Sequence, residues 1–215
     1  MGVHITAMGI VSAIGLSVAE NLDSLLHNQS GIMPMQYLTS DLDTLVGEVK
    51  CTNEAFRDRL SVSAKQVSRT SLLGLAAAKE AWGDNQIHPS LKTGLISSTS
   101  VGGMDRTELF YKDYLATASA DFNMLRTHDS GNTTEKIAAA LGIKDYVNTL
   151  STACSSGANA MMLGARLILQ GKLDRVLVGG TDALTHFTIG GFRSLMIYDQ
   201  AQCRPFDDTR AGLNL

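Results

Sequence analysis

No stretch of this chain gathers five or six charges of one sign, and no apolar run approaches the roughly 18 residues that cross a bilayer. With 18 Lys and Arg against 21 Asp and Glu, the formal net charge is −3. That balance supplies no basic field for nucleic acid, and no membrane partner is expected. Cysteine is scarce: Cys51, Cys154 and Cys203 are odd in number and cannot all pair within one chain. No basic and apolar leader opens the sequence, so a reducing cytoplasm is the expected setting. Also missing are a GxGxxG after a strand, a GxxxxGK loop, a CxxC pair and an HExxH helix, so no cofactor or metal is expected.

What remains is a globular composition, 215 residues with 44% hydrophobic side chains, enough for one large core or two modest ones. Residues 3–11, VHITAMGIV, read as a buried first strand. Gly15-Leu16-Ser17 then offers a turn and an N-cap for a helix with Val18, Leu22, Leu25 and Leu26 on one face. Residues 44–50 form a short strand candidate, and the polar stretch from there to Ser68 reads as surface. SLLGLAAAKEAW (71–82) predicts a helix buried on most sides, and GLISSTSVGG (94–103) a strand ending in a glycine pair. Residues 104–131 give no clear boundaries. Beyond them, Thr133 or Thr134 caps a helix that ends at Gly142, YVNTLST is a strand, a helix of about four turns runs to Gly171, and RVLVGGTDAL is a further strand. This alternation predicts an α/β fold with a mostly parallel sheet covered by helices on both faces, and functional groups at the carboxyl ends of the strands.

Cys154 falls at such an end, in STACSSGANAMM, with small residues around it and a helix beginning after it. The positive end of a helix favours a thiolate, small neighbours admit a bulky group, and backbone N–H groups there can hold an oxyanion. The plainer reading is a small buried hydrophobe. A base from elsewhere in the fold is needed for catalysis, and adjacency makes His186 one candidate for a Cys-His hydrolase.

The run STACSSGANAMMLGARLILQGKLDRVLVGGTDALTHFTIGGF, followed by CRPFDDTRAGLNL, resembles the nucleophile segment and downstream loop of the β-ketoacyl-acyl carrier protein synthases, which have a thiolase-like fold. ITAMGIVSAIG, SLLGLAAAKEAW and LISSTSVGGM resemble the family's opening strand, buried helix and next strand. The resemblance implies that Cys154 accepts an acyl chain from an acyl carrier protein and that malonyl-carrier, after losing carbon dioxide, condenses with it. It implies an acyl pocket at Phe192, Gly190 and Gly191, and a homodimer paired through YVNTLST. A basic pair, Lys65 and Arg69, would suit an acidic carrier protein. Arg204, Asp207 and Arg210 are expected to form a buried ion pair that holds their loop.

The family's catalytic histidines and lysine lie in motifs resembling HGTxTxxND and NxxxGHxxGAAG, and neither occurs here. The chain is expected to be the amino-terminal half of such a synthase, residues 1–215, cut before its last strand and unable to condense alone. The alternative is a non-catalytic partner subunit of a synthase heterodimer. Partners of that kind usually lack the cysteine that Cys154 provides.

Overall fold

The computed structural model describes residues 2–38, 43–63 and 67–215. In chain order the elements are α1 (Val18–Leu26), β1 (Ile32–Pro34), β2 (Leu45–Gly47), α2 (Asn53–Leu60), α3 (Arg69–Trp82), β3 (Thr93–Ser98), α4 (Met104–Thr117), a 3₁₀ helix (Phe122–Thr127), α5 (Ser130–Leu141), β4 (Tyr146–Leu150), a 3₁₀ turn (Ala153–Ser155), α6 (Ser156–Leu169), β5 (Arg175–Val178) and α7 (His186–Ser194). They fall into two compact units, one built from the first nine residues and Phe56–Ala183, the other from Ile10–Ala55 and Leu184–Leu215.

The first unit is a parallel sheet in the order β4-β3-β5, with Ile96 of β3 opposite Asn148 on one side and Val178 on the other. All six residues of β3 are buried, which is why the strand reads TGLISS, with only small and apolar side chains. Side chains alternate across it. On one face Ile96 packs with Ala160, Leu167 and Leu173, and Tyr146, Leu150, Leu163, Val176 and Val178 close around them, so α6 lies here. On the other face α5 packs on β4 and β3, and α3 packs on α5. Hydroxyls join this layer: Ser71 to Thr133 at 2.9 Å links α3 to α5, and Thr149 donates to Thr134 at 2.6 Å, linking β4 to α5.

Both predicted helices of this layer form, with corrected starts. Ser68, fully buried, caps α3 by accepting from Ser71 N–H. Helix α5 begins three residues before Thr133, because Asp129 caps it through Gly131 N–H at 2.8 Å. Thr133 and Thr134 lie inside the helix and serve the inter-element bonds. Gly142 ends α5 at φ +70°, where a side chain is strained. The polar stretch before Ser68 holds α2, whose Phe56 and Leu60 are buried, so it is not simply surface. Residues 104–131 contain α4 and the 3₁₀ helix, joined by Phe110 stacked on Tyr114 and tilted against Phe122.

The expected first strand does not form. Residues 3–11 join no ladder among the described residues, and Ile5 and Met8 are 83% and 58% exposed. β-Branched alternation favours an extended chain, but a strand also needs a neighbour's row of donors and acceptors. Gly9 instead lies against the α3 backbone at Ala77 and Ala81.

In the second unit β1 and β2 pair antiparallel, and Glu48 just after β2 accepts from Gln36, Tyr37 and Leu38 N–H. Helix α1 starts as expected at the Ser17 cap, yet the side chains it buries are polar. Asn21 donates to Gly15 and Ser17 carbonyls and Ser24 to that of Ile14, while Leu22 and Leu25 are exposed. The loop around RPFDDTR is exposed and holds no ion pair among its arginines and Asp207. Arg204 donates to the Thr209 carbonyl and Arg210 to that of Asp207, while the Asp207 carboxylate accepts from Thr209 N–H and hydroxyl. Those two bonds hold the Asp207 carboxyl below its usual range. No described helix is long and apolar enough to cross a membrane.

Burial pushes the Asp105 carboxyl above the usual range, against the Arg69 N–H it accepts at 2.9 Å and the nearby Arg106 charge. Its second oxygen has no partner among the described residues. A carboxyl raised in the folded state is penalised once ionised, so its contribution to stability falls as pH rises through and above the unfolded value near 3.8. Asp105→Asn keeps an acceptor and removes the charge. The variant should melt higher than the parent at pH 7, with the gain vanishing below about pH 4. A lower melting temperature at pH 7 would mean that the charged bond to Arg69 outweighs desolvation.

Candidate active site

Strands β3, β4 and β5 run parallel, so their carboxyl ends form one edge, and Cys154 lies there in the 3₁₀ turn between β4 and α6. Cys154 is exposed, whereas Cys51 and Cys203 are half-buried. It precedes Ser155, the N-cap of α6, so the thiol sits just outside the helix's positive end. Ala153 takes φ +51°, a left-handed conformation that costs a non-glycine residue about 1–2 kcal/mol. That kink turns the chain sharply before the thiol.

Of the small neighbours expected to provide access, Ser155 and Ser156 have a different task. Ser156 accepts from Thr152 N–H at 2.8 Å and donates to the Ala153 carbonyl at 2.7 Å. Ser155 donates to the Thr152 carbonyl at 2.8 Å, and Asn159 reaches back to the Thr152 and Ser155 hydroxyls. These bonds hold the strained turn. Space comes from Gly157, where an added Cβ would meet nothing within 4 Å. No described side chain bonds to the Cys154 sulfur, and two described histidines of this unit bond elsewhere, His88 with Ser90 and His128 with Thr107.

The neighbouring strand ends are tightly fitted. Ser98 donates to the Gly179 carbonyl at 3.0 Å, and Thr181 N–H to the Ser98 carbonyl at 2.9 Å. Gly180 abuts Ser98, so a side chain there would collide with the Ser98 hydroxyl, and it lies in ordinary contact with Gly157 Cα at the start of α6. One group that sequence reasoning passed over is Asp182, whose Oδ1 accepts from the Thr99 hydroxyl at 2.5 Å, Ser100 N–H at 2.9 Å and Val101 N–H at 3.1 Å. Its signal was an acidic residue two places after a strand-ending glycine pair.

Other candidates lie apart from this turn in the chain. Gly190, Gly191 and Phe192 are within α7, in the second unit, so the two glycines are helical. His186 opens the same helix. Arg69 is the first residue of α3 and is half-buried, while Lys65 lies outside the described residues.

A sequence model described as beta-ketoacyl synthase, N-terminal domain, matches residues 2–215. The chain belongs to that family. The synthase domain is 29% identical over 227 residues to the 3-oxoacyl-[acyl-carrier-protein] synthase 2 of Staphylococcus aureus (strain COL), covering 98% of this chain and 54% of the relative. It thus spans about half the length of the curated relatives it matches. Among solved structures, the ishigamide ketosynthase/chain length factor superposes with a TM-score of 0.88 at 24% identity, over 97% of this chain and 54% of that one, which establishes the fold. A ketosynthase in complex with its chain length factor from Xenorhabdus doucetiae superposes at 0.80 with 28% identity, over 99% and 55%. The synthase domain therefore has the thiolase-like α/β fold that its sequence implied.

An exposed thiol beside two half-buried ones predicts an order of labelling. Brief iodoacetamide treatment of the intact protein followed by peptide mapping should modify Cys154 first. Equal labelling of all three cysteines would remove the distinction.

Proposed function

We propose that this domain supplies the nucleophile of a β-ketoacyl-acyl carrier protein synthase in fatty acid or polyketide assembly. The observation that carries the reading is Cys154 itself, exposed on a strained turn at the carboxyl edge of a parallel sheet and braced by Thr152, Ser155, Ser156 and Asn159. In the first step the Cys154 thiolate attacks the carbonyl of an acyl-carrier thioester, and the carrier thiolate leaves. In the second, malonyl-carrier loses carbon dioxide to give a carbanion, which attacks the Cys154 thioester. A carbon–carbon bond forms, the carbon–sulfur bond breaks, and the Cys154 thiolate is released. Covalent capture divides a difficult condensation into two easier steps.

The histidines and lysine that handle protons in this family are not in these 215 residues. Condensation belongs to a protein that provides them, with residues 1–215 as its amino-terminal half. In that protein Phe192, Gly190 and Gly191 border the acyl chain, Lys65 and Arg69 face an acidic carrier protein, and a homodimer forms through β4, in a cytoplasmic setting. The position of β4 at the edge of the described sheet supports that pairing. The cysteine favours this reading over a non-catalytic partner subunit.

Cys154→Ala in the intact protein should abolish condensation while leaving decarboxylation of malonyl-carrier, because only condensation needs a thioester at residue 154. Product analysis by mass spectrometry separates the two steps. Normal condensation by the variant would exclude the mechanism.

A further inference from the structure

The residues on either side of Cys154 are tied to one side chain further along α6. Asn159 Nδ2 donates to Thr152 Oγ1 at 2.8 Å and to Ser155 Oγ at 3.2 Å. Thr152 opens the 3₁₀ turn two residues before the thiol, and Ser155 closes it one residue after. An amide carries two N–H donors on one nitrogen, so a single side chain serves both acceptors. Asn159 is half-buried, and the next residue, Ala160, is fully buried and packs with Ile96 of β3. The bonds of Ser155 and Ser156 to Thr152 and Ala153 close the turn on itself and on the first residue of α6, whereas those of Asn159 fasten it to the part of the helix seated on the sheet.

We infer that Asn159 is a positioning residue for the nucleophile: through Thr152 Oγ1 and Ser155 Oγ it fixes where the Cys154 sulfur stands when it attacks an acyl thioester. The inference rests on the acyl-transfer reading above. Attack on a thioester carbonyl demands a defined approach of sulfur to carbon, and a small misplacement of the attacking atom slows it. Alkylation of an exposed thiol by a small reagent from solvent makes no such demand on the turn. Loosening the turn therefore slows acyl transfer and spares alkylation.

The test is acylation of Cys154 in the intact protein by acetyl N-acetylcysteamine thioester over a range of concentrations, read by mass spectrometry, with iodoacetamide alkylation of the same thiol in parallel. Alanine is the better helix former, so Asn159→Ala leaves α6 intact. This variant should lower the limiting acylation rate about five- to tenfold, the size of one or two lost hydrogen bonds, with the half-saturating concentration and the alkylation rate within about twofold of the parent. Thr152→Val, which removes the oxygen that Asn159 holds, should reproduce that loss, and Thr152→Ser, which keeps the oxygen, should retain most of the parental rate. The Asn159→Ala, Thr152→Val double variant should fall little below either single one, because both remove the same bond. Parental acylation by Asn159→Ala, alkylation that falls in step with acylation, a Thr152→Ser rate as low as that of Thr152→Val, or losses that multiply in the double variant would each overturn the role of Asn159. A parent protein that takes no acetyl group from the thioester, although its thiol is alkylated, defeats the acyl-transfer reading instead.

Discussion

Strand β3 meets water on neither face and has a parallel neighbour on each edge, and that enclosure governs the first unit. A strand so placed must satisfy every backbone group through its ladders and every side chain through packing. Ile96 meets this demand on the α6 face, where a fully buried side chain of its size contributes about 1.5–3 kcal/mol. At the strand's end the demand falls on hydroxyls: Ser97, Ser98 and Thr99 are all buried. Ser98 and Thr99 find partners on the segment after β5, and this fastens the carboxyl edge on which Cys154 lies.

Hydroxyl pairs do similar work in the helical layer. Ser68, Ser71 and Thr133 form a buried chain between α3 and α5, and a separate pair, Thr149 and Thr134, joins β4 to α5. Each bond contributes only about 0.5–1.5 kcal/mol net, but a partner lost from such a site leaves a buried donor or acceptor at a cost of about 1–3 kcal/mol. Specific geometry follows from that asymmetry, since an apolar contact tolerates sliding and a buried hydroxyl pair does not.

Much of the fold was legible because period and caps act locally. The SLLGLAAAKEAW helix, the YVNTL strand and the glycine ends of α5 and α6 all follow from neighbours a few residues away. Residues 3–11 show the limit, since their apolar β-branched pattern describes a strand only when another chain segment pairs with it. Thr133 and Thr134 show a second limit: a threonine before a helical pattern reads as a cap, and only the fold reveals that Asp129 has taken the position. Cys154 was legible as a candidate nucleophile, while Asp182 was not, because its bonds reach across 81 to 83 residues of sequence.

The small residues around Cys154 divide by chemistry into two tasks. Ala153 must adopt a left-handed backbone, and a β-branched residue in its place would add steric strain to a turn that already carries some. The hydroxyls of Ser155 and Ser156 and the amide of Asn159 offset that strain by bonding the turn to itself, so they are occupied and do not line an open approach. Gly157 is the residue with free space above it. It lies in the first turn of α6, three residues after the thiol, and a helix would gain up to about 1 kcal/mol from alanine there. Keeping glycine at a helical position where a methyl group would fit is a choice against stability, and it is intelligible where something else must occupy that space. The open space at residue 157 and the strained backbone at residue 153 thus flank the same exposed thiol, one on each side of it in the sequence.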